Sequence, residues 1–168
     1  QTCALPISDS AMMNDLETVG NAQISTTQSK FGGSSIYLDG TDDRLVSPSV
    51  QGLAVGTGDF TVEGWFYTNV SSAKGLLQTS DTVGGLKTSY TTGIALGTTS
   101  TPYFGVDVGS TNITGSTTIS TGTWYHFAVV RQSGTVYLYL NGVSQGSASN
   151  TQNLTGTYIC IGGYYNTS

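Results

Sequence analysis

Charge is the scarcest property of this chain. Only 9% of its 168 residues are charged, five Lys and Arg against ten Asp and Glu, for a net charge of −5. The cations stand singly at Lys30, Arg44, Lys74, Lys87 and Arg131. No basic stripe exists to neutralise a row of phosphates, so nucleic acid is not an expected partner. His126 is the single histidine, which excludes a multi-histidine zinc site and leaves no spare base for a serine triad. No glycine is directly followed by lysine as a phosphate loop requires. No apolar run reaches the 18 or more residues of a membrane-spanning helix, and the start lacks the charged-then-apolar layout of a leader, so membrane insertion is not expected. Of two cysteines, Cys160 in "YICIGG" reads as a small buried strand residue and Cys3 lies in the opening segment. No native disulfide is expected.

What is abundant is Gly, Ser and Thr, with short apolar runs between them that alternate with a period near two. That pattern is the mark of many short strands. Strands are expected at Ala22 to Thr26, Ser34 to Asp39, Arg44 to Ser47, Phe60 to Tyr67, Gly75 to Ser80, Gly93 to Gly97, Tyr103 to Val108, Thr123 to Arg131, Thr135 to Leu140, Val143 to Ala148 and Thr157 to Ile161. Eleven strands imply an all-β, two-sheet antiparallel β-sandwich. In "DFTVEGWFY" alternation sets Phe60, Val62, Gly64 and Phe66 toward the core and Thr61, Glu63, Trp65 and Tyr67 away from it. Ser133-Gly134 and Asn141-Gly142 are hairpin turns, so Trp124 to Ala148 should form a three-stranded meander. The opening Gln1 to Ile7 resembles the translation of a sequencing adapter and is set aside as non-native. Residues 8–19 read as an irregular lead-in, and 20–168 as one domain of a size that buries a full core.

The segments "SKFGGSSIYLDGTDDRLVSP", "GTGDFTVEGWFY" and "GTWYHFAVVRQSGTVYLYLNGV" together resemble the laminin-G-like or pentraxin-like branch of the concanavalin A-like lectin and glucanase superfamily, over roughly Gly20 to Tyr165. The resemblance implies a jelly roll whose members mostly bind glycans or proteins at the sandwich edge, some through calcium, as parts of larger extracellular or virion-surface proteins. Such domains usually continue after "IGGYYNTS" into a last strand, and that strand is expected to be missing here.

Chemistry is thinly represented. A glycoside hydrolase needs two carboxyl groups facing one sugar bond, yet Glu17 and Glu63 are the only glutamates. Glu17 falls in the lead-in and Glu63 on an outward strand position, and no Glu-x-Asp-x-x-Glu run of the laminarinase type occurs. No catalytic residues are expected. His126 reads as a half-buried structural imidazole donating to a backbone carbonyl. Asp39, Asp42 and Asp43 in "LDGTDDRL" could gather oxygens around calcium, although a tight turn favours the same residues, and Asp43 could simply face solvent. For a glycan, exposed rings beside amides and hydroxyls are needed; Tyr90, Tyr103, Tyr164 and Tyr165, in or beside polar loops, are the candidates, whereas Tyr37, Tyr125, Tyr137 and Tyr139 on strands should cover sheet faces. The expected function is a non-catalytic extracellular or virion-surface module that recognises a glycan weakly, with calcium as a possible cofactor. A spacer or decoration domain of a phage tail or capsid fibre is the alternative, and a hydrolase comes third.

Overall fold

A computed structural model describes residues 15–81 and 92–162. Thirteen strands run through them in chain order: β1 (Glu17–Val19), β2 (Gln23–Ser25), β3 (Ser35–Tyr37), β4 (Arg44–Val46), β5 (Phe60–Tyr67), β6 (Lys74–Ser80), β7 (Ile94–Thr98), β8 (Tyr103–Val108), β9 (Thr111–Thr118), β10 (Trp124–Gln132), β11 (Thr135–Leu140), β12 (Val143–Ser149) and β13 (Tyr158–Ile161). All pairings between them are antiparallel. One sheet has the order β1-β4-β13-β6-β7-β8-β9, the facing sheet the order β12-β11-β10-β5, and β2 with β3 makes a separate hairpin. The sandwich expected from alternation is the observed architecture.

The meander forms as its turns dictate. Ser133 and Gly134, and then Asn141 and Gly142, all have positive φ, between 49° and 77°, the conformation of tight hairpin turns whose twist matches the strands they join. Asn141 also fastens the sheet, its backbone N–H donating to the His126 carbonyl at 2.7 Å while its Oδ1 accepts the His126 N–H at 2.8 Å. Along β10 the inward residues Tyr125, Phe127, Val129 and Arg131 are buried. Phe66 of β5 stacks on Phe104 of β8 across the sandwich at 5.3 Å between ring centres, and Phe104 meets Phe127 at 5.6 Å. Leu96, Val106, Val108, Val136, Leu138 and Leu140 complete the shared interior.

Two strands escaped the sequence pattern. β9, "TNITGSTT", buries only Ile113 and Gly115 and shows Asn, Thr and Ser to solvent, so it carries almost no apolar alternation. β1 lies in the stretch expected to be irregular, and pairing with β4 gives it a structure that its three residues do not announce. At the opposite edge of the seven-stranded sheet β9 abuts β12, where the Gln145 side chain accepts the Thr117 N–H at 3.2 Å.

A buried arginine holds the loops to the core. Arg131 is 1% exposed. Its Nε donates to the Gly58 carbonyl at 2.8 Å, Nη2 to Gly56 at 2.7 Å, and Nη1 to Gln152 at 2.9 Å and to Asn150 Oδ1 at 3.2 Å. Burial lowers the guanidinium from its ordinary pKa and the nearby Asp59 opposes that shift, but an arginine remains charged throughout. Asn150 in turn donates to the Val108 carbonyl and to Thr111 Oγ1, tying the opposite sheet into the same network. Removing the guanidinium leaves three part-buried carbonyls and the buried Asn150 Oδ1 without this donor. Arg131→Met should therefore lower stability by about 1.5–3 kcal/mol, the range for hydrogen bonds to a charged group, read as a shift in urea unfolding; a loss below about 0.5 kcal/mol, less than one ordinary hydrogen bond, would show that the loops hold without it.

Candidate aromatic face and the acidic turn

The outward face of the four-stranded sheet collects rings. Register sets Tyr67 opposite Trp124 and Trp65 opposite His126 between β5 and β10, and Ala128 opposite Tyr139 and Val130 opposite Tyr137 between β10 and β11. Neighbouring strands lie about 4.8 Å apart, so the cross-strand rings touch: Tyr67 and Trp124 at 5.4 Å, Trp65 and His126 at 5.1 Å. Along β11, Tyr137 and Tyr139 stack at 6.4 Å. Between the β11 tyrosines and the β5 residues Thr61 and Glu63 runs a floor of only Ala128 and Val130, roughly 10 Å from wall to wall by strand spacing.

Trp65, 41% exposed, is the centre of this face. Phe31, from the loop joining β2 to β3, stands edge-on to it at 5.6 Å and is itself 68% exposed. The Lys30 ammonium lies 4.4 Å over the Trp65 ring, a cation–π distance. Glu63 Oε2 is 3.5 Å from His126 Nε2. The face thus offers apolar rings with a carboxylate, an imidazole and an ammonium at their margins. His126 is half-buried as expected, but its polar neighbour is the Glu63 carboxylate and its ring leans on Trp65; the expected bond to a backbone carbonyl is not made.

The acidic turn is held together by its own backbone. Asp43 does not face solvent; it is 5% exposed. One carboxylate oxygen accepts the Asp39 N–H at 2.7 Å and the other accepts the Asn21 N–H. Gly20 makes this possible, since it has φ +73° and a side chain there would collide with the Asp43 carboxylate. Asp39 closes its own turn by accepting the Thr41 N–H at 2.7 Å. Asp42 sits at positive φ, and its carbonyl faces the Arg44 guanidinium at 3.4 Å. The Asp39 and Asp43 carboxylates are thus engaged by backbone N–H groups of the turn and of Asn21, and among the described residues no group of three or more His, Cys, Asp or Glu side chains is placed to hold a metal ion.

Tyr103 opens β8, half-buried, its N–H donating to Thr99 Oγ1 at 3.2 Å. Its neighbour Phe104 points into the core, so Tyr103 belongs to the outer face of the seven-stranded sheet. It is therefore not brought together with Trp65. Tyr90, Tyr164 and Tyr165 lie outside the described residues, as does Cys3. A shallow depression lined by Asp59, Phe60, Thr61, Val130, Arg131 and Gln132 marks the start of β5, away from the Trp65 cluster.

A family model described as the concanavalin A-like lectin/glucanases superfamily matches residues 39–168. The chain belongs to this superfamily. No curated protein matches it. Among solved structures it is similar to domain 4 of AbnA, a GH43 extracellular arabinanase from Geobacillus stearothermophilus in complex with arabinotriose, with 16% identity, a TM-score of 0.63, and coverage of 91% of this chain and 75% of that one. The mouse laminin alpha1 chain, domains LG4-5, is 21% identical with a TM-score of 0.50 over 71% of this chain and 31% of its own. The CBM40 of Ruminococcus gnavus IT-sialidase is 13% identical with a TM-score of 0.51 over 66% and 65%. The chain thus spans less than two thirds of the laminin and CBM40 chains. At such identities the likeness establishes the superfamily's fold and nothing finer.

The assignment of Asp43 has a measurable consequence. Asp43→Ala leaves two backbone N–H groups without their acceptor and should lower the thermal midpoint, by about 1–3 kcal/mol of stability. Millimolar calcium and chelator should leave the wild-type midpoint where it is. A rise with calcium that disappears in Asp43→Ala would return the turn to the metal, because a ligand of the folded state raises the midpoint.

Proposed function

We propose that this domain is a non-catalytic glycan-binding module and that its sugar lies against Trp65 on the outward face of the four-stranded sheet. The observation that carries the reading is that ring cluster: an exposed indole flanked by Phe31 and His126 with Glu63 and Lys30 beside it. A sugar has an apolar face that a ring covers and hydroxyls that charged and amide groups orient. A flat, partly open face of this kind gives weak, reversible binding, since it removes little of a ligand from water.

The comparisons support the class of ligand. Domain 4 of the arabinanase was solved with arabinotriose, and the CBM40 is a named module of a sialidase. The arabinanase that carries the similar domain 4 is extracellular, and that, with the polar, sparsely charged composition of this chain, supports an extracellular role within a larger protein. The non-catalytic part of the proposal rests on the glutamates: Glu63 stands with 63% of its side chain exposed beside an imidazole, and Glu17 is exposed on β1 of the other sheet. The two therefore do not form the facing pair that a glycoside hydrolase uses.

Affinity electrophoresis against a panel of soluble polysaccharides tests the proposal. Trp65→Ala should abolish retention by any glycan that slows the wild type, a loss of about 1–3 kcal/mol on the scale of an aromatic contact at a binding hot spot. Tyr103→Ala, on the other sheet, should migrate as wild type. Retention lost in Tyr103→Ala and kept in Trp65→Ala would move the site to the seven-stranded face; glycan cleavage abolished by Glu63→Gln would replace binding with catalysis.

A further inference from the structure

A loop brings a cation to Trp65. Lys30 and Phe31 stand between β2 and β3, in a loop that Gly32 and Gly33 turn with φ of +67° and +79° and that the Ser35 hydroxyl braces by donating to the Gln28 carbonyl at 2.7 Å. Phe31 meets Trp65 with 84° between the ring planes, so the two rings form adjoining walls of a corner. The Lys30 ammonium fills that corner, 4.4 Å from the Trp65 ring centre and 5.6 Å from that of Phe31. Ring faces are the negative part of the π quadrupole, and two of them turned on one point suit a positive group.

The hold on Lys30 is loose. The residue is exposed, hangs on a flexible four-carbon stem and makes no ion pair among the described residues. Both walls are open to solvent as well, Trp65 and Phe31 being exposed. Two residues back along β5 on the same face, about 7 Å away by strand rise, stands the exposed Glu63 carboxylate. Its contact to His126 Nε2 at 3.5 Å is longer than an ordinary hydrogen bond, so its oxygens keep room for another donor. A cation arriving from solution meets ring faces at contact, a carboxylate within a Debye length and a protein of net charge −5. An anion meets repulsion from the same carboxylate and the same net charge.

We infer that the corner of Trp65 and Phe31 is an ammonium subsite, held by Lys30 until a protonated amine of the bound sugar takes its place, so that the glycan is one with free amino groups. This rests on the glycan reading of the Trp65 face and narrows it. Lys30 is a built-in competitor: a sugar covers this side of the indole only after the lysine leaves, and leaving forfeits a cation–π contact. An amino sugar restores that contact with its own ammonium, whereas a neutral or N-acetylated sugar does not. Selectivity is then a difference between two ligands that both displace Lys30, set by what each puts back.

The probes are a tetramer of glucosamine with its amines protonated and its fully N-acetylated twin, titrated while the Trp65 indole N–H resonance is followed by NMR and assigned with Trp65→Ala. The glucosamine tetramer should bind about two- to fivefold more tightly, the worth of one exposed cation–π contact. Lys30→Ala should tighten both tetramers by about three- to sixfold, because it frees a corner that Lys30 otherwise holds in most unliganded molecules. Glu63→Gln and Phe31→Ala should each narrow the preference for the amine. Equal or tighter binding of the N-acetylated twin, weaker binding of either tetramer by Lys30→Ala, or a galacturonate tetramer bound more tightly than both and lost in Lys30→Ala each overturns the inference. Tetramethylammonium, compared with equal sodium chloride, separates this failure from failure of the glycan reading. It should shift the Trp65 signal, and more in Lys30→Ala, whether or not any sugar binds. An indole that ignores it in both proteins overturns the subsite even if glycans bind; a responsive indole with no glycan bound overturns the glycan reading and with it the sugar assigned here.

Discussion

One constraint governs both the interior and the surface of this domain: successive side chains along β10 must point to opposite faces of its sheet. Tyr125, Phe127, Val129 and Arg131 are thereby committed to the inside and Trp124, His126, Ala128 and Val130 to the outside. The buried set meets Phe66 and Phe104 and joins the two sheets. The outer set, through strict register with β5 and β11, lines up the rings of Trp65, Tyr67, Tyr137 and Tyr139. A one-residue slip would exchange the two sets and put His126 and Trp124 in the core. The candidate site is therefore the reverse side of the same packing problem that makes the fold.

Charge follows an equally simple logic. With so few ionisable groups available, several serve as internal fasteners. Arg131 collects the carbonyls of two loops, Asp43 holds two backbone amides, Asp59 accepts the Ser133 N–H at the first hairpin turn, and Asp107 accepts from Asn112 between β8 and β9. Such bonds are strong because one partner is ionised, and Arg131 and Asp43 are shielded from solvent. Glu63 and Lys30 differ from these. They stand at the surface beside aromatic rings, and no backbone group is fixed by either. In a chain that uses its charges to fasten loops, these two stand against an exposed tryptophan, on the face proposed to receive the glycan.

Much of this was legible in the sequence. The core strands β5, β8, β10 and β11 carry unbroken apolar alternation and lie where it sets them, and the Asn-Gly and Ser-Gly turns fix the meander between them. The outward position of Glu63, Trp65 and Tyr67 followed from the same alternation, yet rings at those positions read equally well as sheet cover; their grouping with Trp124 and His126 emerges only from register. Phe31 and Lys30 could not be placed, because they reach Trp65 from a loop more than thirty residues away in sequence. The burial of Asp43 was not legible for a related reason: a carboxylate in an Asp-rich turn looks the same in sequence whether it faces water or clamps the amide of a distant Asn21. β9 was hidden because a strand on the rim of a sheet buries so little that threonine and asparagine suffice.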